Sequence, residues 1–331
     1  MIKICVMGLG YVGLPVALSI SSKFETLGFD ISKKRIVELS AKHDSNKEFS
    51  KSDFNHKKIT FSNKTIDLKD SNIYIICVPT PVRKNNLPDL RYIKKSISII
   101  SAYIKSKDII ILESTVYPGV TEHFTKFLEL KCGLKNNKDF YVCYSPERIN
   151  PGDKTKKIKN IDKVFAIDTN NKSILFKIKK IYKLISKKII FSRKIKEAET
   201  AKAIENTQRD LNIALANELS IICSKLNIDT NQVINAASTK WNFHKYLPGL
   251  VGGHCIGVDP YYLTYKSKLL GYNPKIILAG RKLNDSMAKY ITLQLGKHIK
   301  IKKLNKKKLK ILILGITFKE NCPDIRNSQS L

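Results

Sequence analysis

Ile2-Lys3-Ile4-Cys5-Val6-Met7-Gly8-Leu9-Gly10-Tyr11-Val12-Gly13-Leu14-Pro15-Val16-Ala17-Leu18-Ser19-Ile20-Ser21 opens the chain and decides its fold. Ile2 to Met7 is an apolar run of strand length. Gly8, Gly10 and Gly13 follow in the spacing G-x-G-x-x-G, enclosing Leu9, Tyr11 and Val12, and Leu14 to Ser21 reads as a helix. A glycine triplet between strand and helix permits a tight turn, close approach to a pyrophosphate and close helix–strand packing. The helix N-terminus then offers free N–H groups to the phosphates. Thr26 to Asp30 reads as a second strand ending in an acid, about 20 residues on, where a carboxylate accepts from ribose hydroxyls. Such a carboxylate repels the extra phosphate of NADP, so the expected cofactor is NAD; Arg35 tempers this only slightly. The basic, apolar start resembles a signal peptide, but the glycine pattern gives it another mechanism and no small-residue cleavage motif follows.

Outward from this turn, Ile73 to Val78, Ile109 to Leu112 and Tyr141 to Tyr144 are further strand-length apolar runs, each ending in a polar loop. Val164 to Ile167 and Lys188 to Phe191 read as two more. The basic stretch from Lys154 to Lys163 reads as a surface loop. Strands alternating with helical patterns indicate an α/β fold with a Rossmann-type, doubly wound parallel sheet. Ala198 to Leu226 holds a helical pattern with no Gly or Pro, long enough to link two domains. Helical stretches continue to about Ile301, broken by the loop from Pro248 to Pro260. Leu309 to Leu314 reads as the first strand of another α/β domain. The expected organisation is residues 1–195 as the NAD-binding domain, 196–301 as a central helical domain with the cysteine loop, and 302–331 as the incomplete start of another α/β domain.

The chain has 331 residues, 60 Lys and Arg against 28 Asp and Glu, and a net charge of +32. The lysines are spread from end to end alongside abundant Ile and Asn, as A/T-rich coding produces, so a nucleic-acid module is the weakest reading. No stretch has the length and apolarity of a membrane span. The seven cysteines form no Cys-x-x-Cys pair. Neither a disulfide framework nor a metal site is expected, and the protein is expected in the cytoplasm.

One cysteine stands apart. Pro248-Gly249-Leu250-Val251-Gly252-Gly253-His254-Cys255-Ile256-Gly257-Val258-Asp259-Pro260 places Cys255 among glycines that leave it little cover. On local sequence, a nucleophilic thiol and a buried structural cysteine are equally consistent with this loop. Lys202 and Asn206, four apart, share one helix face, which could equally be a solvated one. Glu147 follows a strand end, where open α/β sheets place ligands; it could also be a helix N-terminal acid. Thr80 and Thr115 follow strand ends too and could simply cap helices.

Taken together, GLGYVG (8–13), CVPTP (77–81), ESTVYPG (113–119), YSPERINPGD (144–153), the helix with Lys202 and Asn206, PGLVGGHCIGVDPYYL (248–263) and GITFKENCPDIRNS (315–328) resemble the UDP-glucose/GDP-mannose dehydrogenase family, in its order and over nearly the whole chain. His254 before the cysteine and Val258-Asp259-Pro260-Tyr261-Tyr262 after it are similar to the branch acting on UDP-N-acetylhexosamines. The resemblance implies NAD-dependent four-electron oxidation of a sugar C6 hydroxyl to a carboxylate, supplying surface polysaccharide precursors. It implies Cys255 as nucleophile, Lys202 and Asn206 as oxyanion stabilisers, Glu147 as general acid/base, and Asp259 and Thr115 as organisers of water and protons. It implies Gly8, Gly10, Tyr11, Val12, Gly13, Asp30, Arg35, Thr80, Thr115 and Arg326 at the cofactor, and Glu147, Arg148, Lys202, Asn206, Gly249, Gly252 and Lys319 at the substrate. A homodimer is implied as well. The family continues with a third α/β domain, of which this chain has one strand; the expectation is NAD binding with little turnover and a poorly ordered segment from about Asn305. Two competing readings are a two-electron dehydrogenase of the 6-phosphogluconate or 3-hydroxyacid kind, which has no use for the Cys255 loop, and a remnant that binds NAD without turnover.

Overall fold

Five parallel pairings centred on the first strand build the sheet. β1 (Lys3–Met7) lies between β2 (Glu25–Phe29) and β4 (Ile73–Ile76); β3 (Ile59–Ser62) adds beyond β2, and β5 (Ile109–Leu112) and β6 (Tyr141–Tyr144) beyond β4. With β7 (Lys163–Ile167) and β8 (Ile189–Ser192) the order is β3-β2-β1-β4-β5-β6-β7-β8, eight strands. Order reverses between β1 and β4, the crevice where such sheets bind ligands. This computed structural model describes residues 1–83, 85–149, 158–305, 308–317, 319–320, 322 and 324–331.

The strands are apolar on both sides because helices cover both faces. Ile4, Val6, Ile73, Ile75, Ile109 and Ile111 point into one buried layer, and Cys5, Met7, Tyr74, Ile76, Ile110 and Leu112 into the other. The helices are α1 (Gly13–Ile20), α2 (Lys33–Ser40), α3 (Arg91–Ile100), α4 (Val120–Cys132) and α5 (Lys172–Tyr182). α6 (Ile195–Leu226) is 32 residues long. After it come α7 (Thr230–Ala237), α8 (Asp259–Leu269) and α9 (Lys275–Ile301). The chain divides into two compact units, Met1–Lys202 and Ala203–Leu331.

Three expectations need correction, and one strand was missed. The sheet is not wholly parallel: β7 runs antiparallel to β6. A parallel return needs a helix-length crossover, and the described residues between these strands hold only a 3-10 turn at Ile158–Asn160. Lys163 does not end a surface loop; it heads β7 and is completely buried. Residues 150–157, which carry most of that expected loop and the end of the YSPERINPGD motif, lie outside the described residues. The edge strand β3, with one partner and half-buried side chains, went unforeseen. Finally, Leu309 to Leu314 forms no strand. A strand persists only in a ladder, and no described segment pairs with it, leaving Leu312 81% and Leu314 85% exposed.

Candidate functional site

In the first unit the glycine turn is fixed by sterics. Gly8 has φ +89°, and a Cβ there would lie 3.0 Å from the Cys77 carbonyl oxygen; one on Gly13 would lie 1.8 Å from the Gly8 oxygen. Around Gly10 no atom comes within 4 Å of an added Cβ, leaving its backbone open to a ligand. α1 has Val12 as its N-cap, with no side-chain cap bond, so its first N–H groups stay available to a phosphate. Asp30 fastens the turn: its carboxylate accepts from Leu9 N–H at 2.8 Å and from Ser32 N–H at 2.9 Å. Arg35 donates to the Leu9 carbonyl at 2.9 Å. Tyr11 and Val12 are half-buried in the same turn. Across the crevice, Thr80 donates to the Thr115 carbonyl at 2.7 Å, joining the ends of β4 and β5. The expected dinucleotide residues of this unit thus come together at one sheet edge, and the cradle fits NAD.

Behind the ends of β5 and β6 lies a charged cluster of which sequence reading singled out only Glu147. Lys163 Nζ is 2.5 Å from Glu113 and 2.6 Å from Glu147, and Tyr182 donates to Glu113 at 2.7 Å. Glu147 is 5% exposed, and its other oxygen accepts from the Arg148 and Ile149 N–H groups at 2.7 Å each. Burial opposes its ionisation, but Lys163 and the Arg148 N–H outweigh that and hold it below the ordinary carboxylate range. One ammonium serves two carboxylates, and burial pushes the second, Glu113, up to about 7. Arg148 reaches the Asp162 carbonyl at 3.2 Å and is half-buried.

α6 carries a polar stripe. Glu199 accepts from Gly119 N–H at 2.6 Å and Thr121 N–H at 2.8 Å, capping α4. Lys202, Asn206, Asp210 and Asn217 continue it at helical spacing, all buried.

In the second unit this stripe holds the cysteine loop. Asn206 donates to the buried Asp259 at 2.5 Å. Asn217 brackets Gly249, accepting from its N–H at 2.8 Å and donating to its carbonyl at 3.0 Å. Asn217 also donates to Asn284, which donates to Asp210, which pairs with Arg281 at 2.6 Å. Gly253, at φ +81°, exchanges hydrogen bonds with Asn327, while His254 sits 2.9 Å from Asp324. Burial works against ionisation of Asp324, yet Arg326 and His254 hold it well below the usual carboxylate range. Within this frame Cys255 is exposed, and its carbonyl accepts from Val258 and Asp259 N–H at 3.1 and 2.8 Å, leading into α8. The buried alternative for Cys255 is therefore removed; Cys5, Cys77, Cys143, Cys223 and Cys322 are the buried ones. Gly252 is half-buried in the same loop. Lys319 is half-buried, with Thr317 donating to its carbonyl at 2.8 Å, and Arg326 forms its two-pronged pair with Asp324. Asn217, Asn284, Asp210 and Arg281 were not foreseen; buried polar residues seven apart on α6, and three apart on α9, were the available signal.

No group of three or more His, Cys, Asp or Glu among the described residues could hold a metal ion. No helix among them is long and apolar enough to cross a membrane.

A doubly wound sheet with a ligand-ready glycine turn, joined to a helical unit presenting an exposed thiol, defines a dinucleotide-dependent dehydrogenase. The sequence matches the UDP-glucose/GDP-mannose dehydrogenase family, its NAD binding domain over residues 2–186 and its central domain over residues 196–286, and the chain belongs to that family. It is 49% identical over 331 residues to the UDP-N-acetyl-D-glucosamine 6-dehydrogenase of Salmonella typhi, covering 99% of this chain and 77% of that protein. It is 47% identical over 331 residues to the enzyme of the same name from Pseudomonas aeruginosa, covering 99% and 78%. Among solved structures, a UDP-D-ManNAc dehydrogenase from Pyrococcus horikoshii superposes with a TM-score of 0.91 at 31% identity, covering 99% of this chain and 79% of that one. The chain is an NAD-dependent oxidoreductase of nucleotide sugars.

Proposed function

We propose that this protein oxidises the C6 hydroxyl of a UDP-N-acetylhexosamine to the carboxylate, in two hydride transfers joined by a covalent intermediate on Cys255. The observation that carries the reading is the exposed Cys255 thiol in a loop pinned on its N-terminal side at Gly249, Gly253 and His254. A nucleophile needs access, and a productive one also needs a fixed position.

NAD supplies the hydride acceptor in each oxidation, and the Gly8–Gly13 turn with Asp30 would hold it. The alcohol first loses a hydride and a proton to become an aldehyde. Cys255 Sγ then adds to the carbonyl carbon to give a thiohemiacetal, with Lys202 and Asn206 stabilising the developing oxyanion. Loss of a second hydride and a proton leaves a thioester. Water cleaves it, freeing Cys255 and the acid, with Asp259 and Thr115 ordering the water and its protons. Glu147, ionised against Lys163, would act as the general acid/base, starting from its anionic form. Arg148, Gly249, Gly252 and Lys319 would contact the nucleotide sugar, and Arg326 the cofactor. The same reading includes a homodimer and a role in polysaccharide precursor supply. The relatives' names support the substrate class, and the exposed loop favours the four-electron course over a two-electron dehydrogenase.

The test counts NADH per sugar consumed across a panel of UDP-sugars. Two NADH per UDP-N-acetylhexosamine are expected. Cys255→Ser should form no uronate while binding NAD as before, since a serine hydroxyl is a far poorer nucleophile at neutral pH. Uronate formation by Cys255→Ser at the unmodified rate ends the thioester reading.

A further inference from the structure

The reversed strand β7 delivers a lysine to the ligand edge of the sheet. Ligands bind beyond the carboxyl ends of parallel strands, so the first residue of a parallel β7 would sit at the opposite edge. β7 instead runs against β6, with Cys143 facing Ile167 and Tyr144 facing Ala166. Continuing that register sets Lys163, the first residue of β7, opposite Glu147, just past the end of β6. Its Nζ lies 2.6 Å from Glu147 Oε2 and 2.5 Å from Glu113 Oε2, and all three side chains are buried. Burial works against the ammonium, but Glu113 and Glu147 together hold it charged. Other groups close the cluster. Tyr182 of α5 donates to the second oxygen of Glu113, the Arg148 and Ile149 N–H groups donate to Glu147 Oε1, and the buried Cys77 thiol beyond β4 lies within reach of all three charges. A buried ion pair adds little to stability beyond what an apolar pair of the same shape supplies. Placed at a ligand edge, it can set the protonation of a group that does chemistry.

We propose that Lys163 is a positioning residue for the reaction: through its buried ion pair it keeps Glu147 ionised and fixed in place, so that Glu147 meets the substrate as a base. Lys163 acts through Glu147 alone. Without the ammonium, Glu113 and Glu147 would be two carboxylates in one dry site, and burial and mutual repulsion would both oppose ionisation. Glu147 would then keep its proton toward neutral pH and could not accept one from the substrate hydroxyl. The proposal rests on the assignment of Glu147 as the general acid/base.

The experiment reads the carboxyl groups of the full 331-residue protein by infrared spectroscopy, following the band of protonated carboxylic acid as pH is varied. Glu113→Gln is the reference, because it removes the other carboxylate and leaves Lys163 paired with Glu147. Lys163→Met/Glu113→Gln then exchanges the ammonium for an apolar side chain. It also avoids the paired carboxylates that could unfold Lys163→Met alone. At about pH 6 the double variant should show one more protonated carboxyl than Glu113→Gln, and adding Glu147→Gln should remove that band. The acid should ionise at least about one pH unit higher than in the reference. With NAD and a UDP-N-acetylhexosamine, the low-pH limb of NADH formation should move up with it. Two results overturn the proposal: coincident spectra for the two proteins, or a limb that stays in place while the rate falls at every pH, which would make Lys163 only a builder of the core. Glu147→Gln alone separates the two layers. If it turns over as the unmodified protein does, the assignment of Glu147 itself fails. If it abolishes turnover while the spectra coincide, the assignment stands and only the role of Lys163 falls.

Discussion

Two glycine-rich loops in this protein lead into helices in nearly the same way, yet they are held by opposite means. The Gly8–Gly13 turn enters α1 and the Pro248–Val258 loop enters α8, each through a valine N-cap that makes no side-chain cap bond. The first is shaped by its own backbone, with Asp30 and Arg35 tying Leu9 from close by: the added Cβ of Gly13 would lie 1.8 Å from the Gly8 oxygen. The second is held by side chains from far along the chain, Asn217, Asp324 and Asn327. A turn set largely by sterics and near neighbours depends little on distant packing, which suits a pyrophosphate cradle. A loop set by distant polar contacts keeps its shape only while the helices behind it stay packed.

Lys202→Ala probes the helix that serves the reaction and should have the largest effect. Loss of one oxyanion stabiliser costs about 10² to 10³ in turnover, with NAD affinity little changed. Normal turnover with a large loss of sugar affinity would move Lys202 from chemistry to recognition.

Gly13→Ala attacks the steric loop. The overlap falls on backbone, which cannot give way as a flexible side chain would, so the turn must open. A cost of about 3 kcal/mol or more in stability or NAD binding is expected, read by thermal unfolding and dinucleotide titration. Asn217→Ala attacks the other loop and should do the reverse. It removes both Gly249 bonds, so turnover should fall by about tenfold through a misplaced thiol, while NAD binding is kept. If Gly13→Ala is silent, or if Asn217→Ala damages NAD binding instead, the contrast between the loops collapses.

The same contrast explains what the sequence made legible. The steric turn, its helix and the acid at Asp30 are local, so their spacing is their structure. The core strands β1, β4, β5 and β6 announce themselves as apolar runs because both of their faces are covered. β3 did not, since an edge strand keeps only half of that pattern. Lys163 was hidden inside a basic run, and nothing local distinguishes a lysine facing water from one facing two buried carboxylates. Leu309 to Leu314 has a strand's composition, but composition alone supplies no neighbour to pair with. Asn217 and Asn284 are ordinary helix-surface residue types; only the crossing of α6 and α9 near Leu211 and Gly280 makes them interior.

The buried cluster gives the finest test, because it lies in the sterically fixed unit yet is itself held by side chains. Glu113, packed against Lys163, Glu147, Tyr182 and Cys77, has its carboxyl raised by burial from an ordinary 4.5 to about 7. Between those values the folded state keeps a proton that the unfolded state has released. Stability contributed by Glu113 therefore falls as pH rises through that window, and is level above it. Glu147 runs the other way: burial opposes its ionisation, but Lys163 favours the anion more strongly, so its contribution is present above the ordinary carboxylate range and is lost as pH falls. Glu113→Gln keeps the shape, leaves Lys163 a single anionic partner in Glu147 and deletes the titrating group. Its unfolding midpoint should rise relative to the unmodified protein's on going from pH 5.5 to pH 8, by about a few degrees. Identical pH profiles for the two proteins would mean that Glu113 does not change charge across this range and that the Lys163 ammonium stabilises both carboxylates together.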